Sequence, residues 1–309
     1  MNGSVKDKRT EEGEANMPKT LLEAAVDVLR TANSVLKVNK TYTYGRMWKQ
    51  SQFAGGVGCS KCCPNLSVPE EPALPEGVQI IQPKDVPKRG IGTVSNRIAL
   101  VHSLAHIEFA AINLAWDVIA RFGQNSPLLC PCSGDHSEPE KPSFPAEFYH
   151  DWVRIAIEEA THHKLLSDRL EALGSYYGAL PAHAGLWESA KNTADDAMAR
   201  FSIVHMVHEA HGLDRNPVTL RNFKKCGDLK SAEMIEGQIY PDEITHVQSG
   251  KRWFLYLCQR AKLSEQEAIE KFQQIVGERF AGKIRAPFNV EGRNKAGLTQ
   301  EWYMPLVRQ

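Results

Sequence analysis

A glutamate and a histidine three residues apart share one face of a helix. Together they can offer a metal ion a carboxylate oxygen and an imidazole nitrogen. Two stretches of this sequence carry that spacing inside long helical patterns: Glu159-Ala160-Thr161-His162 and Glu243-Ile244-Thr245-His246. With 25 Glu and 11 His in 309 residues, position counting gives roughly one such match by chance. A third match, Glu147-Phe148-Tyr149-His150, is assigned as the chance one. It lies roughly 18 Å of helical rise before Glu159 and cannot reach the same centre.

Context separates the other two from chance. Glu159 and His162 share a stripe with Ile155 and Leu166, while Glu243 and His246 follow Ile235 and Ile239. On core-facing stripes an unpaired carboxylate is costly. Each motif is also preceded, one helix earlier, by a glutamate in an apolar setting. These are Glu108, within His106-Ile107-Glu108-Phe109-Ala110-Ala111-Ile112, and Glu209, within Val204-His205-Met206-Val207-His208-Glu209-Ala210. The order Glu, Glu-x-x-His, Glu, Glu-x-x-His on four successive helices is the ligand set of di-iron and di-manganese carboxylate bundles. Any one of these residues alone reads as a solvated surface group; the metal reading rests on Glu108, Glu159, His162, Glu209, Glu243 and His246 together. Four carboxylates offset the charge of two divalent ions, and mixed oxygen and nitrogen ligation suits iron or manganese.

The elements that must position these residues follow from apolar periodicity. Long helices are expected over about Ser95–Phe122, Pro145–Leu173, Ala182–His211 and Asp228–Lys262, with a short one at Pro217–Lys225. A further helix, Ser264–Phe280, opens on a capping box of Ser264 and Glu267. An N-terminal helix, Thr20–Lys37, opens on Thr20 and Glu23 in the same way. Residues 1–18 read as a disordered polar tail, and 41–94, rich in Pro and Gly, as an irregular arm that completes an N-terminal unit from 19. The remainder, 95–309, reads as a helical bundle with a C-terminal extension. No strand-rich stretch or alternation of strand and helix appears, so the expected class is all-α. Pro241, two residues before Glu243, is expected to kink or break its helix.

Other groups have plainer alternatives beside their chemical ones. His205, His102 and Asp242 are candidates to hold metal-binding groups by hydrogen bonds, with a satisfied core or surface role as the alternative for the histidines. Tyr149, Trp152 and Trp253 read as core. Cys59, Cys62 and Cys63, with Cys130 and Cys132, suit either a structural zinc or free thiols. Cys226 and Cys258 read as solitary structural thiols. Arg285, Arg293 and Lys295 on a basic, non-helical tail suit an anionic substrate group. The same tail can instead pack through Ile284, Phe288 and Val290.

Composition narrows the class. Lys+Arg and Asp+Glu are both 37, which argues against a protein that holds nucleic acid by bulk charge. No long uninterrupted apolar run suggests a membrane span, and the charged N-terminus lacks the apolar core of a secretory signal. The expected setting is cytoplasmic, with reduced cysteines.

As a set, several segments resemble the ferritin-like superfamily and, more closely, a family catalogued only as a conserved domain of unknown function. They are His106-Ile107-Glu108 with Ala111-Ile112, Asp151-Trp152-Val153-Arg154 leading to Glu158-Glu159-Ala160-Thr161-His162, Glu209-Ala210-His211-Gly212-Leu213-Asp214, Asp242-Glu243-Ile244-Thr245-His246-Val247, and Ala286–Arg293 with Ala296-Gly297. The resemblance spans roughly 90–300 and implies a metal-binding four-helix bundle, but no reaction. A more distant likeness is to tRNA-modifying di-iron hydroxylases, the one route by which nucleic acid enters as a partner. Three functions follow as expectations: an O2-dependent hydroxylase or oxidase with a small organic substrate and an electron donor, a ferroxidase or peroxide scavenger, and a scaffold with a structural metal. The first calls for a substrate-sized cavity beside the metals, the second for a short path to solvent, the third for a closed site.

Overall fold

The computed structural model describes residues 17–59, 63–86, 91–125 and 144–307. Among them every regular element is helical, and the two isolated parallel bridges, Ile80 with Ala182 and Ile284 with Val307, build no sheet. The N-terminal unit starts with α1 (Leu21–Arg30), capped by Thr20 and Glu23 in a reciprocal capping box. The helix then breaks where Thr20–Lys37 is expected to continue. Thr31 Oγ1 donates back to the Asp27 carbonyl at 2.7 Å, and Asn33 caps a new helix by accepting from Leu36 N at 2.9 Å. That helix, α2 (Ser34–Lys49), extends well into the stretch expected to be irregular. Its Thr41-Tyr42-Thr43-Tyr44 run has poor helix propensity, but α2 packs along a long core helix and tertiary contact decides.

The core helices are α3 (Val94–Phe122), α4 (Ala146–Ala172), α6 (Ala197–Ser202) with α7 (Glu209–Lys225), and α8 (Leu229–Met234) with α9 (Tyr240–Arg260). A short α5 (Gly185–Lys191) leads into α6. α3 packs along α4, α1 lies on α3 and α2 on α4. By length and composition α3 is apolar enough to cross a membrane, which the sequence reading did not foresee; its apolar stretch is mostly buried inside the protein. The expected helix Ala182–His211 is instead the short α5, a turn, and α6. The separate helix expected at Pro217–Lys225 belongs to α7, which runs through Pro217.

Two π-helical stretches interrupt these helices. Ile203–His208 joins α6 to α7, and Ile235–Ile239 joins α8 to α9. The second ends two residues before Pro241, so the break expected from that proline takes the form of a π-bulge.

The C-terminal part comprises α10 (Glu265–Arg279), opened by the Ser264–Glu267 capping box, α11 (Val290–Lys295) and α12 (Gln300–Tyr303). A fully buried Arg293 ties this part to α7. Its guanidinium grips Asp214 at 2.9 and 2.6 Å and lies over the rings of Phe288 and Tyr303.

Candidate metal centre

Glu108 stands on α3, Glu159 and His162 on α4, Glu209 at the start of α7, and Glu243 and His246 on α9. Their side chains converge as two overlapping groups. Glu108, Glu159, His162 and Glu243 form one, and Glu159, Glu209, Glu243 and His246 the other. Within each group the ligating atoms lie within 4.8 Å of one another. Glu159 and Glu243, the carboxylates of the two Glu-x-x-His motifs, belong to both.

The π-stretches help set this geometry. Ile203–His208 ends immediately before Glu209, and Ile235–Ile239 ends four residues before Glu243. Gly250, one turn beyond His246, lets α9 approach the first stretch closely: a Cβ there would sit 2.1 Å from the His205 carbonyl oxygen. Gly212, one turn beyond Glu209, leaves space beside Glu243, whose Oε2 would lie 3.3 Å from an added Cβ. In a helix interior glycine costs about 1 kcal/mol relative to alanine, so both positions favour close approach over helix stability.

Each histidine is held from behind by an acid of the opposite motif. His162 Nε2 donates to Asp242 Oδ2 at 2.9 Å, and His246 Nε2 donates to Glu158 Oε2 at 3.0 Å. Asp242 also accepts from Gln238, and Glu158 is gripped by Arg154 at 2.6 Å. Arg154 in turn reaches Thr245 and Ser249 on α9. With Nε2 bonded outward, Nδ1 of each ring faces the carboxylates. His162 Nδ1 lies 3.4 Å from Glu159, 3.8 Å from Glu108 and 4.0 Å from Glu243. His246 Nδ1 lies 3.0 Å from Glu159 and 4.0 Å from Glu243. A histidine fixed through one nitrogen by a carboxylate, with the other nitrogen turned inward, is the usual posture of a metal ligand.

Asp242 therefore takes the position expected of it. The sequence alone assigns no role to Glu158 or Arg154. The signal for Glu158 was present, since an acid directly precedes the motif glutamate in both copies: Glu158-Glu159 and Asp242-Glu243.

The cluster is buried and holds more acid than its own hydrogen bonds satisfy. Glu159 is 1% exposed, and both its oxygens, with Nδ1 of His162 and of His246, lack a hydrogen-bond partner. Burial, then the Glu159 charge, pushes Glu108 up to about 8 and Glu209 up to about 7. Burial, Glu159 and Glu209 hold Glu243 well above the usual carboxylate range. Burial alone would raise Glu159, but His246 and His162 outweigh it and hold it ionised. Burial disfavours the charged rings of His162 and His246, yet their acidic partners raise both well above the ordinary imidazole value. Protons thus stand where cations fit, and several orphaned ligand atoms converge on one space. The residues could hold a metal ion. Glu209 is half-buried and Asp242 partly exposed, so the centre approaches solvent on that side.

Other candidates lie elsewhere. His205 is buried beside Trp152, ring centroids 4.3 Å apart, and makes no hydrogen bond to the six residues; its Nε2 has no partner. Its imidazole is held neutral by burial, Arg200 and His246. His102 points away from the cluster and accepts the backbone N–H of Gly178 and of Leu180, a loop-holding role. Arg293 does not await an anionic substrate group, because Asp214 already neutralises it. Lys295 pairs with Glu291 one turn away at 2.7 Å, and Arg285 is exposed. Glu147 and His150 lie outside the cluster, His150 accepting from Trp48 Nε1 at 3.0 Å. Tyr149, Trp152 and Trp253 are core. No metal-competent group among the described residues contains Cys59 or Cys63, so the zinc expectation finds no ligand set there. Cys62, Cys130 and Cys132 lie outside the described residues.

Residues 30–304 match the family described as "Protein of unknown function (DUF455)". An "Uncharacterized protein" of Haemophilus influenzae (strain ATCC 51907 / DSM 11121 / KW20 / Rd) is 36% identical over 228 residues, covering 74% of each chain. No solved structure matches the chain.

Proposed function

The chain belongs to the DUF455 family, and from its own residues we propose that it is a di-metal carboxylate oxidoreductase on a ferritin-like four-helix bundle. Iron or manganese is the proposed metal. The observation that carries this reading is the sharing of Glu159 and Glu243 between two complete ligand groups, which suits two adjacent ions bridged by carboxylates. Glu108 and His162 would complete one ion's ligands, Glu209 and His246 the other's. A reduced pair of such ions supplies electrons to O2 or peroxide.

The chain's own residues do the rest. Asp242 and Glu158 fix the two rings with Nδ1 inward, and the apolar packing around Glu159 keeps bulk water out. Gly212 and half-buried Glu209 leave the approach from solvent. Within this class we favour an O2-dependent hydroxylase or oxidase that draws electrons from a separate donor and acts on a small organic substrate in the cytoplasm. A second reading, iron oxidation or peroxide removal, is favoured by one observation. A partly open pocket of about 230 Å3 lies on the far face of α3, away from Glu108.

The test is metal analysis of protein purified without added metal, then anaerobic reduction and exposure to O2 while the near-UV spectrum is followed. The proposal expects about two iron or manganese ions per chain and an O2-dependent spectral change. A chain without metal contradicts the metal reading. A loaded chain inert to both O2 and peroxide contradicts the oxidoreductase.

A further inference from the structure

α3 has two faces. At about 100° per residue, Ala99, Ser103, His106 and Ala110 point about 140–180° away from Glu108. There they line a partly open pocket of about 230 Å3. Its roof is the arm around residues 71–86. The arm is pinned by Ile81 N donating to the Ala182 carbonyl at 2.8 Å, Ala182 N donating to the Gln79 carbonyl at 2.9 Å, and Trp187 Nε1 donating to the Glu70 carbonyl at 3.1 Å. The irregular arm thus roofs a pocket.

The polar groups around this cavity are largely engaged in building it. His102 Nε2 holds the loop at Gly178 and Leu180, and His106 Nδ1 bonds the Tyr177 hydroxyl at 3.0 Å. At the rim, Lys191 lies 3.0 Å from both Glu71 and Glu188 and offsets one of their two charges, so the rim stays net negative. The walls are apolar, and Leu74, Ile80 and Ile107, all more than one-third exposed, gather at this one place. Asn113 is the exception. It is buried, its Oδ1 accepts from the ammonium of Lys37, and one amide hydrogen goes to the Phe109 carbonyl at 2.9 Å. Lys37 Nζ donates both to Asn113 Oδ1 and to the Val28 carbonyl, so the amide oxygen faces it and the amide nitrogen faces away. The second amide hydrogen of Asn113 remains for a ligand.

We propose that this cavity binds a small uncharged molecule with an apolar body of one or two fused rings and one hydrogen-bond acceptor, the acceptor meeting Asn113. Volume sets the size: a dry apolar cavity of about 150 Å3 takes benzene, and this one is half as large again. The apolar walls set the charge, since a buried ion would have no partner, and the net negative rim further excludes an anion. This site is distinct from the carboxylate cluster and stands whether or not metal binds.

Calorimetric titration with 1-tetralone, a bicyclic ketone, tests it, with tetralin and 1-naphthoate as controls. The expected result is saturable binding of one 1-tetralone per chain, at least several-fold weaker binding of tetralin, and none of 1-naphthoate. Ala110→Phe and Ser103→Leu fill the cavity from α3 and should each abolish binding while far-UV dichroism and metal content stay unchanged. If Ala110→Phe fails to fold, Ser103→Leu carries the test. The proposal is overturned if 1-tetralone does not bind saturably, if 1-naphthoate binds as well, or if a folded cavity-filling variant binds undiminished. Equal affinity for tetralin overturns the role given to Asn113.

Discussion

Two clusters of charge buried among the described residues are built differently. In the first, Asp117 on α3 meets Arg200 on α6, both almost fully buried. Arg200 also donates to Thr193 Oγ1 at 2.9 Å and to the Ala190 carbonyl at 2.6 Å, while Arg121 donates to Asp117 from one turn away at 3.0 Å. Each charge there has an opposite partner and further hydrogen bonds. In the second, four glutamates and two histidines leave Glu159 and two ring nitrogens without hydrogen bonds and hold Glu108, Glu209 and Glu243 above their ordinary values. Charge that only supports a fold is saturated by the fold. An excess of acid with inward-facing orphans could hold a cation.

The largest effect that would sharpen this contrast lies in the saturated cluster. Arg200→Met leaves Asp117 with Arg121 alone, so the loss should fall at the low end of the about 3–5 kcal/mol of a broken buried pair. Urea denaturation should show that loss with or without added metal. A loss under about 1 kcal/mol would mean the pair is not the structural opposite of the glutamate cluster.

Glu159→Ala should act the other way round. Glu159 is shared by both groups, so metal content should fall to one ion or none. Without metal, the loss of Glu159 relieves its repulsion of Glu108, Glu209 and Glu243 but also removes the anion paired with His162 and His246, so the thermal midpoint should change little. Unfolding of the metal-free variant would make Glu159 a structural partner like Asp117.

The pH response has a definite sign. Glu108, raised to about 8, and Glu209, raised to about 7, bind protons in the folded chain that the unfolded chain has lost above the usual carboxylate value. Metal-free stability from these groups is therefore present at low pH and falls as pH climbs from about 4.5 to 8. Metal must displace the same protons, so its affinity should rise over that range. The thermal shift produced by saturating Mn2+ should thus be larger at pH 8 than at pH 6. An equal shift would mean no protons are displaced.

The smallest effect concerns the acids behind the histidines. Asp242→Asn and Glu158→Gln keep the shape but remove the charge that orients each ring. Each should weaken metal binding about 10–100-fold without changing the stoichiometry. Equal affinity in both variants would mean that ring orientation comes from packing alone.

These comparisons also explain what the sequence could reveal. The six clustered residues were legible because Glu-x-x-His spacing and apolar stripes are local signals, and the all-helical class because periodicity is local too. The helix break at Thr31–Asn33 was hidden because Leu36 continues the apolar spacing, although it is half exposed in the structure. The π-bulge at Ile203–His208 and the continuation of α7 through Pro217 depend on neighbouring helices rather than on residue type. Arg293 looked free for a substrate because its partner Asp214 lies 79 residues away. Glu158 was missed because its meaning needs the opposite motif in view.

The central claim is that the acid excess holds two ions. Diffraction from crystals loaded with iron or manganese, with anomalous data at that metal's absorption edge, tests it most directly. Two peaks about 3.5–4 Å apart, with Glu159 and Glu243 reaching both, is the predicted result. A single peak, or peaks away from these six residues with the cluster empty, would contradict it.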